Sequence, residues 1–176
     1  LRTASPHQRR AQRIDPADGP RPGPHNFYRG GSLTTYDAET RQAIALLKGK
    51  LDTEAATEVW DMALEAAWDR PPVWLHGDVS AGNLLVREGR LTAIIDFGMA
   101  GVGDPACDLS IAWTLFRDES RGIFRAMLPH DAGTWARGRA WTLWKALVVA
   151  AGLTETNALE SARPWSVIDE VLCTDA

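Results

Sequence analysis

Cysteine is nearly missing from this 176-residue chain, which holds only Cys107 and Cys173. One potential bridge is no disulfide framework, and the spacing fits no metal-ligand pattern. Both are read as small reduced side chains of a cytoplasmic protein. Lysine is almost as scarce: Lys48, Lys50 and Lys145 are the whole set, and none lies in a strand pattern behind a glycine-rich loop. Long apolar runs are missing too. The longest, from Ala146 to Leu153, is interrupted by Gly152 and is far too short to span a bilayer. No apolar segment follows the N-terminal arginines, as a signal peptide requires, and no internal repeat is visible. These absences exclude a disulfide-stapled scaffold, a membrane-spanning segment and a solenoid.

The remaining composition is that of a globule with a real core, 45% hydrophobic and 24% charged, at a length suited to one domain. Charge is unevenly placed. Residues 1–30 hold six Arg against two Asp, whereas the rest holds 13 basic and 21 acidic side chains. An acidic body favours a cationic small-molecule partner such as a polyamine-like sugar. The basic stretch is short, rich in Pro and Gly and without interleaved aromatics, which disfavours nucleic-acid binding. Of the eight Trp, Trp60, Trp68, Trp74, Trp113, Trp141 and Trp144 fall at helical or strand positions and are assigned to packing rather than to substrate stacking.

Two segments carry chemistry: His76-Gly77-Asp78-Val79-Ser80-Ala81-Gly82-Asn83 and Ile94-Ile95-Asp96-Phe97-Gly98. An Asp, an Asn five residues on and a second Asp opening a Phe-Gly turn are the set that phosphoryl transfer from a nucleotide uses. One carboxylate orients the attacking hydroxyl and takes its proton, while an amide oxygen and a second carboxylate hold Mg²⁺ against the phosphates. Each motif alone is an ordinary turn; their order and the segment between them give the pair its weight. That segment, residues 84–95, is two apolar runs around Glu88-Gly89, a hairpin signal. With those two residues as the loop, positions summing to 177 pair, so Asn83 lies opposite Ile94 and Asp96 shares its face.

These runs, followed by Gly103-Asp104-Pro105-Ala106-Cys107-Asp108-Leu109, resemble the aminoglycoside phosphotransferase family of small-molecule kinases. The likeness is specific over residues 72–113, with a similar general pattern of flanking helices. It implies an α+β, mainly helical fold like the C-terminal lobe of a protein kinase, with a small catalytic β-hairpin. It also implies that Asp78 is the catalytic base, that Asn83 and Asp96 are Mg²⁺ ligands, and that ATP is the phosphoryl donor. His76, Gly98, Asp104 and Asp108 are implied structural members of the site, with Asp104 and Asp108 hydrogen-bonding backbone groups. A protein kinase is disfavoured: Gly77 replaces the Arg of His-Arg-Asp, only residues 99–102 separate Gly98 from Gly103, and Ala-Pro-Glu is missing.

Along the chain, residues 1–33 read as an inter-lobe segment and 34–176 as the catalytic lobe. Helices are expected from Tyr36 to Lys48, from Asp52 with Ala56, Val59, Trp60, Ala63, Leu64 and Ala67 on one stripe, and over 106–116, 121–127, 134–151 and 165–172. Val73-Trp74-Leu75 reads as a short strand. Relatives carry an N-terminal sheet with a phosphate-covering hairpin and a Lys, and nothing here matches it. The chain therefore reads as a fragment, an ATP-dependent phosphotransferase acting on a small-molecule hydroxyl such as that of an aminoglycoside antibiotic. The alternative is an inactive lobe that binds substrate or a partner. Asp118, Glu119 and the Trp residues of the long helix are the candidate acceptor contacts.

Overall fold

The apolar stripe that begins at Ala56 becomes a helix in the computed structural model, which describes residues 14–173 apart from the side chains of 159 and 160. This helix, α2 (Thr53–Glu65), follows α1 (Asp37–Leu46), itself preceded by a 3-10 turn at Leu33–Tyr36. Asp52 caps α2 by accepting from Ala55 N at 3.0 Å, satisfying one of the orphan donors of a helix start. Ala56, Val59, Trp60 and Ala63 are buried as expected. Ala67 is not: it lies past the end of α2 and is exposed.

The other helices are α3 (Ile111–Thr114), α4 (Asp118–Met127), α5 (Ala132–Ala150), α6 (Ala158–Ser161) and α7 (Pro164–Leu172). The core is organised around α5. It is buried on nearly every side, with Trp135, Trp141, Leu143, Trp144 and Leu147 all under 7% exposed, and a helix apolar all round belongs inside a fold. It packs against α1, α2, α7 and a 3-10 segment at Pro105–Ser110. Tyr36 stacks on Trp144 with ring centres 4.0 Å apart and meets Trp141 edge-on at 5.7 Å. Packing thus explains Trp60, Trp113, Trp135, Trp141 and Trp144, but Trp68 and Trp74 are only half-buried. Among the described residues no helix is long and apolar enough to cross a membrane.

Two small antiparallel pairs complete the fold: β1 (Val73–Leu75) with β4 (Gly101–Gly103), and β2 (Leu84–Arg87) with β3 (Arg90–Ile94). Strand β4 has no legible sequence signal, because Gly-Val-Gly shows neither alternation nor β-propensity. Backbone proximity dictates it. A Cβ at Gly103 would lie 2.2 Å from the Gly30 carbonyl oxygen, and Asp104 N donates to that oxygen at 2.8 Å. Val102 N likewise donates to Pro20 O at 2.8 Å, and Trp74 Nε1 to Asp15 O at 3.0 Å. The Pro/Gly-rich stretch after residue 13 is therefore laid against this strand pair; the first 13 residues, with four of the six N-terminal Arg, fall outside the described residues.

The hairpin register needs a correction. Near the turn, Arg87 pairs with Arg90 and Val86 with Leu91, as expected, but farther out Leu85 pairs with Ala93 and Leu84 with Ile94. Thr92 is the extra residue of a bulge, its hydroxyl donating to Leu85 O at 3.0 Å. A bulge shifts pairing by one beyond it, so Asn83 lies opposite Ile95, not Ile94. The expected single helix over 106–116 is also two pieces, the 3-10 segment Pro105–Ser110 and the one-turn α3. Asp104 caps the first piece through Ala106 N at 3.1 Å and Pro105 opens it.

Candidate active site

The loop between β1 and β2 is held from below by one buried carboxylate. Asp108 Oδ2 accepts from His76 N at 2.8 Å and Oδ1 from Gly77 N at 2.7 Å. Burial pushes this carboxyl above the usual carboxylate range, and the two backbone N–H groups act against that. Gly77 has φ +82, and a Cβ there would lie 2.2 Å from Met99 O. No side chain fits, which is the local reason this position cannot carry an Arg. Asp108→Asn would present an amide N–H₂ to one of two backbone donors, leaving that donor buried without an acceptor. The expected loss is about 1–3 kcal/mol, read as a lower midpoint in urea unfolding at unchanged slope.

His76, 6% exposed, joins the loop to the second motif. Asp78 N donates to its Nδ1 at 3.2 Å, so the ring proton sits on Nε2, which donates to Ile95 O at 2.9 Å. The ring also lies 4.5 Å from that of Phe97. Ile95 N in turn donates to Asn83 O at 3.0 Å. One imidazole and one backbone unit therefore fix both loops relative to each other.

Asp78 and Asn83 are in direct contact. Asn83 Nδ2 donates to Asp78 Oδ2 at 3.0 Å and to Asp78 O at 2.9 Å. With the amide nitrogen engaged twice, no hydrogen bond among the described residues uses Asn83 Oδ1. Asp96 follows Ile95 immediately, in left-handed backbone at φ 63 and ψ 68, a conformation Asp tolerates better than most residues. Its carboxylate is exposed and accepts from Gly98 N at 3.4 Å, a long contact that leaves it lightly held. The candidate donors are the Asn83 amide oxygen, bonded through its nitrogen to the Asp78 carboxylate, and the Asp96 carboxylate, one residue beyond the Ile95–Asn83 backbone bond. Such hard oxygen ligands suit Mg²⁺, which keeps much of its water.

Asp104 is tied both to backbone, through Ala106 N, and to Arg137, with Arg137 Nε 2.6 Å from Asp104 Oδ2. The backbone bond was expected; the arginine was not, since nothing in the sequence connects residues 33 apart on different elements.

Asp78 opens onto a cavity of about 220 Å³ between its own loop, the 3-10 segment, α5 and α7. Trp141 lines it, as expected of the long helix, but Asp118 and Glu119 do not. Asp118 belongs to a separate cleft with Arg121, Arg125 and Asp169. The cavity's cations, Arg29, Lys145 and Arg163, carry no motif and come from three distant stretches of sequence. Cys107 also lines it, but burial pushes its thiol well up, so it stays protonated and is no nucleophile.

Residues 8–141 match the phosphotransferase enzyme family. An aminoglycoside 3'-phosphotransferase of Escherichia coli is 39% identical over 66 residues, which are 36% of this chain and 24% of that protein. The ADP-bound crystal structure of the aminoglycoside phosphotransferase APH(2'')-Ib aligns with 78% of this chain and 53% of its own, at TM-score 0.41 and 21% identity. The chain thus spans about a quarter of the curated relative's length and about half of the solved one. With three quarters of its residues matched, this chain belongs to the phosphotransferase enzyme family.

Proposed function

We propose that this chain is the C-terminal catalytic lobe, residues 34–176, of an ATP-dependent phosphotransferase acting on a hydroxyl of a small molecule. The contact that carries the reading is the Asn83 Nδ2–Asp78 Oδ2 hydrogen bond, made where Ile95 pairs with Asn83 and delivers Asp96 to the same end of the hairpin. Asp78 Oδ1 is the base: it orients the acceptor hydroxyl and takes its proton as the oxygen attacks the terminal phosphorus of ATP. Asn83 holds the other carboxylate oxygen in place. Asn83 Oδ1 and Asp96 would hold Mg²⁺, which when bound neutralises charge on the donor phosphates. His76, Gly98, Asp104 and Asp108 position these groups without touching substrate. An N-terminal nucleotide-binding lobe is expected in the complete protein, and isolated reduced thiols suit a cytoplasmic setting.

The name of the Escherichia coli relative makes aminoglycosides the first acceptors to try. The decisive experiment follows transfer of label from ATP to acceptor by the full-length gene product, with and without Mg²⁺. Asp96→Ala is expected to lower the rate by roughly a hundredfold or more, as loss of a metal-holding group in phosphoryl transfer should, and to abolish the response to added Mg²⁺. Because Asp96 is exposed, the melting temperature should stay within about 2 °C. A Mg²⁺ response identical to the wild type would remove Asp96 from the metal site. No transfer to any acceptor would return the chain to the alternative of a binding module.

A further inference from the structure

Four hydroxyl side chains line the cavity beside Asp78: Ser80, Ser110, Thr114 and Thr142. Three of them are engaged within the chain. Ser110 Oγ donates to Cys107 O at 2.8 Å, Thr114 Oγ1 to Ser110 O at 3.2 Å and Thr142 Oγ1 to Gly138 O at 2.9 Å. Ser80 is the exception. It stands at the N-cap of the 3-10 turn Ala81–Asn83, where a serine ordinarily accepts from a backbone N–H of the first turn. Its side chain makes no such cap, and no other hydrogen bond among the described residues. The turn forgoes a stabilising contact, and the cavity wall keeps a hydroxyl able both to donate and to accept.

The place of Ser80 beside the base is fixed even so. Asn83 N donates to Ser80 O at 3.1 Å, while Asn83 Nδ2 holds both Asp78 O and Asp78 Oδ2. One asparagine thus sets the two residues relative to each other, and both are half-buried. Val79 between them belongs to the core, at 7% exposure. The space suits a single ring. A cavity of about 150 Å³ takes benzene, so one of about 220 Å³ takes a six-membered ring with its hydroxyls.

We propose that Ser80 binds the acceptor, and that the cavity selects a six-membered ring with two adjacent hydroxyls, one at Asp78 and its neighbour accepting from Ser80 Oγ. Adjacent oxygens match two groups of one short loop, whereas oxygens on opposite sides of a ring point to opposite walls. The inference rests on the phosphotransferase reading only in calling the ring an acceptor, so binding without nucleotide tests it separately.

The isomers trans-cyclohexane-1,2-diol and trans-cyclohexane-1,4-diol have the same atoms and differ only in hydroxyl spacing. Titrated into the chain by ligand-observed NMR, the adjacent diol is expected to bind roughly threefold to tenfold tighter, the worth of one neutral hydrogen bond. Ser80→Ala should bring the two within about twofold, and Ser80→Thr should keep the preference. Because the Ser80 hydroxyl holds nothing within the chain, the melting temperature of Ser80→Ala should stay within about 2 °C. Equal binding of the isomers by the wild type, no binding of either, or a preference that survives in Ser80→Ala overturns the proposal. In the full-length gene product, Ser80→Ala should raise KM for the acceptor and leave KM for ATP unchanged. A fall in kcat equal for every acceptor, with KM unchanged, would place Ser80 on the phosphoryl group and overturn the proposal while upholding the phosphotransferase reading. A Ser80-dependent diol preference with no transfer to any acceptor would support the subsite and count against that reading.

Discussion

Asp78→Asn is expected to reduce turnover by about 10²–10⁴-fold, the usual contribution of a positioned general base, while the protein stays folded and its affinity for nucleotide barely changes. The substitution is close to isosteric. The new amide's oxygen can still accept from Asn83 Nδ2, as Asp78 Oδ2 does at 3.0 Å. The bonds of the residue's backbone with His76 Nδ1 and Asn83 Nδ2 do not involve the altered group. What disappears is the basic oxygen, and with it the ability to take the acceptor's proton. The predicted signature is therefore a fall in kcat with KM for ATP nearly unchanged, since an interaction made only in the transition state is the one removed. Asp78→Ala should behave similarly in kcat but leave Asn83 Nδ2 with only its bond to the backbone oxygen of residue 78. Turnover within a few-fold of wild type in Asp78→Asn would show that the proton leaves by another route and that Asp78 only holds Asn83.

The order of the two motifs was enough to bring Asp78, Asn83 and Asp96 forward as candidates, because the chemistry proposed for them depends on residue type and short spacing, which sequence displays directly. The way they are held together was only partly legible. The hairpin between them could be read from Glu88-Gly89 and its apolar flanks, but the Thr92 bulge could not: an extra residue in one strand leaves no mark when both runs are short. The role of Asp108 was anticipated as a backbone acceptor, although which donors it takes depends on partners 31 and 32 residues away along the chain.

The lining of the cavity beside Asp78 was illegible for a related reason. Arg29, Lys145 and Arg163 come together only through the packing of the first turns, α5 and α7. The helices themselves were readable from Asp caps, apolar stripes and Gly or Pro stops, as α2 and α5 show. Strand β4 was not, because Val102 is its one side chain to bury and the close approach of Gly103 to Gly30 leaves no pattern in the sequence.

Arg137→Ala is the substitution expected to damage stability most, because it leaves a buried carboxylate without its counter-charge. Arg137 and Asp104 are 6% and 5% exposed. Besides the 2.6 Å bond to Oδ2, Arg137 Nη2 reaches Asp104 Oδ1 at 3.3 Å and Thr134 Oγ1 at 3.2 Å, and Nη1 donates to Ala66 O at 2.8 Å. The guanidinium also lies over the Trp68 ring, 5.5 Å from its centre. Removing it strands the Asp104 carboxylate in the core with Ala106 N as its remaining donor, and leaves Ala66 O without this donor. Breaking one side of a buried pair typically costs about 3–5 kcal/mol, a large share of the roughly 5–15 kcal/mol that holds a domain folded. For a chain of this size that corresponds to a melting temperature lower by about 10 °C. Arg137→Met with Asp104→Asn should recover more than half of the loss, because the neutral amide keeps the cap on Ala106 N and no charge is stranded. Function should follow stability here: Asp104 opens the 3-10 segment whose Asp108 supports the Asp78 loop, so the single variant should turn over poorly even below its melting point. A single variant that melts within about 2 °C of the wild type would mean that water reaches Asp104 and that the pair is not buried in solution.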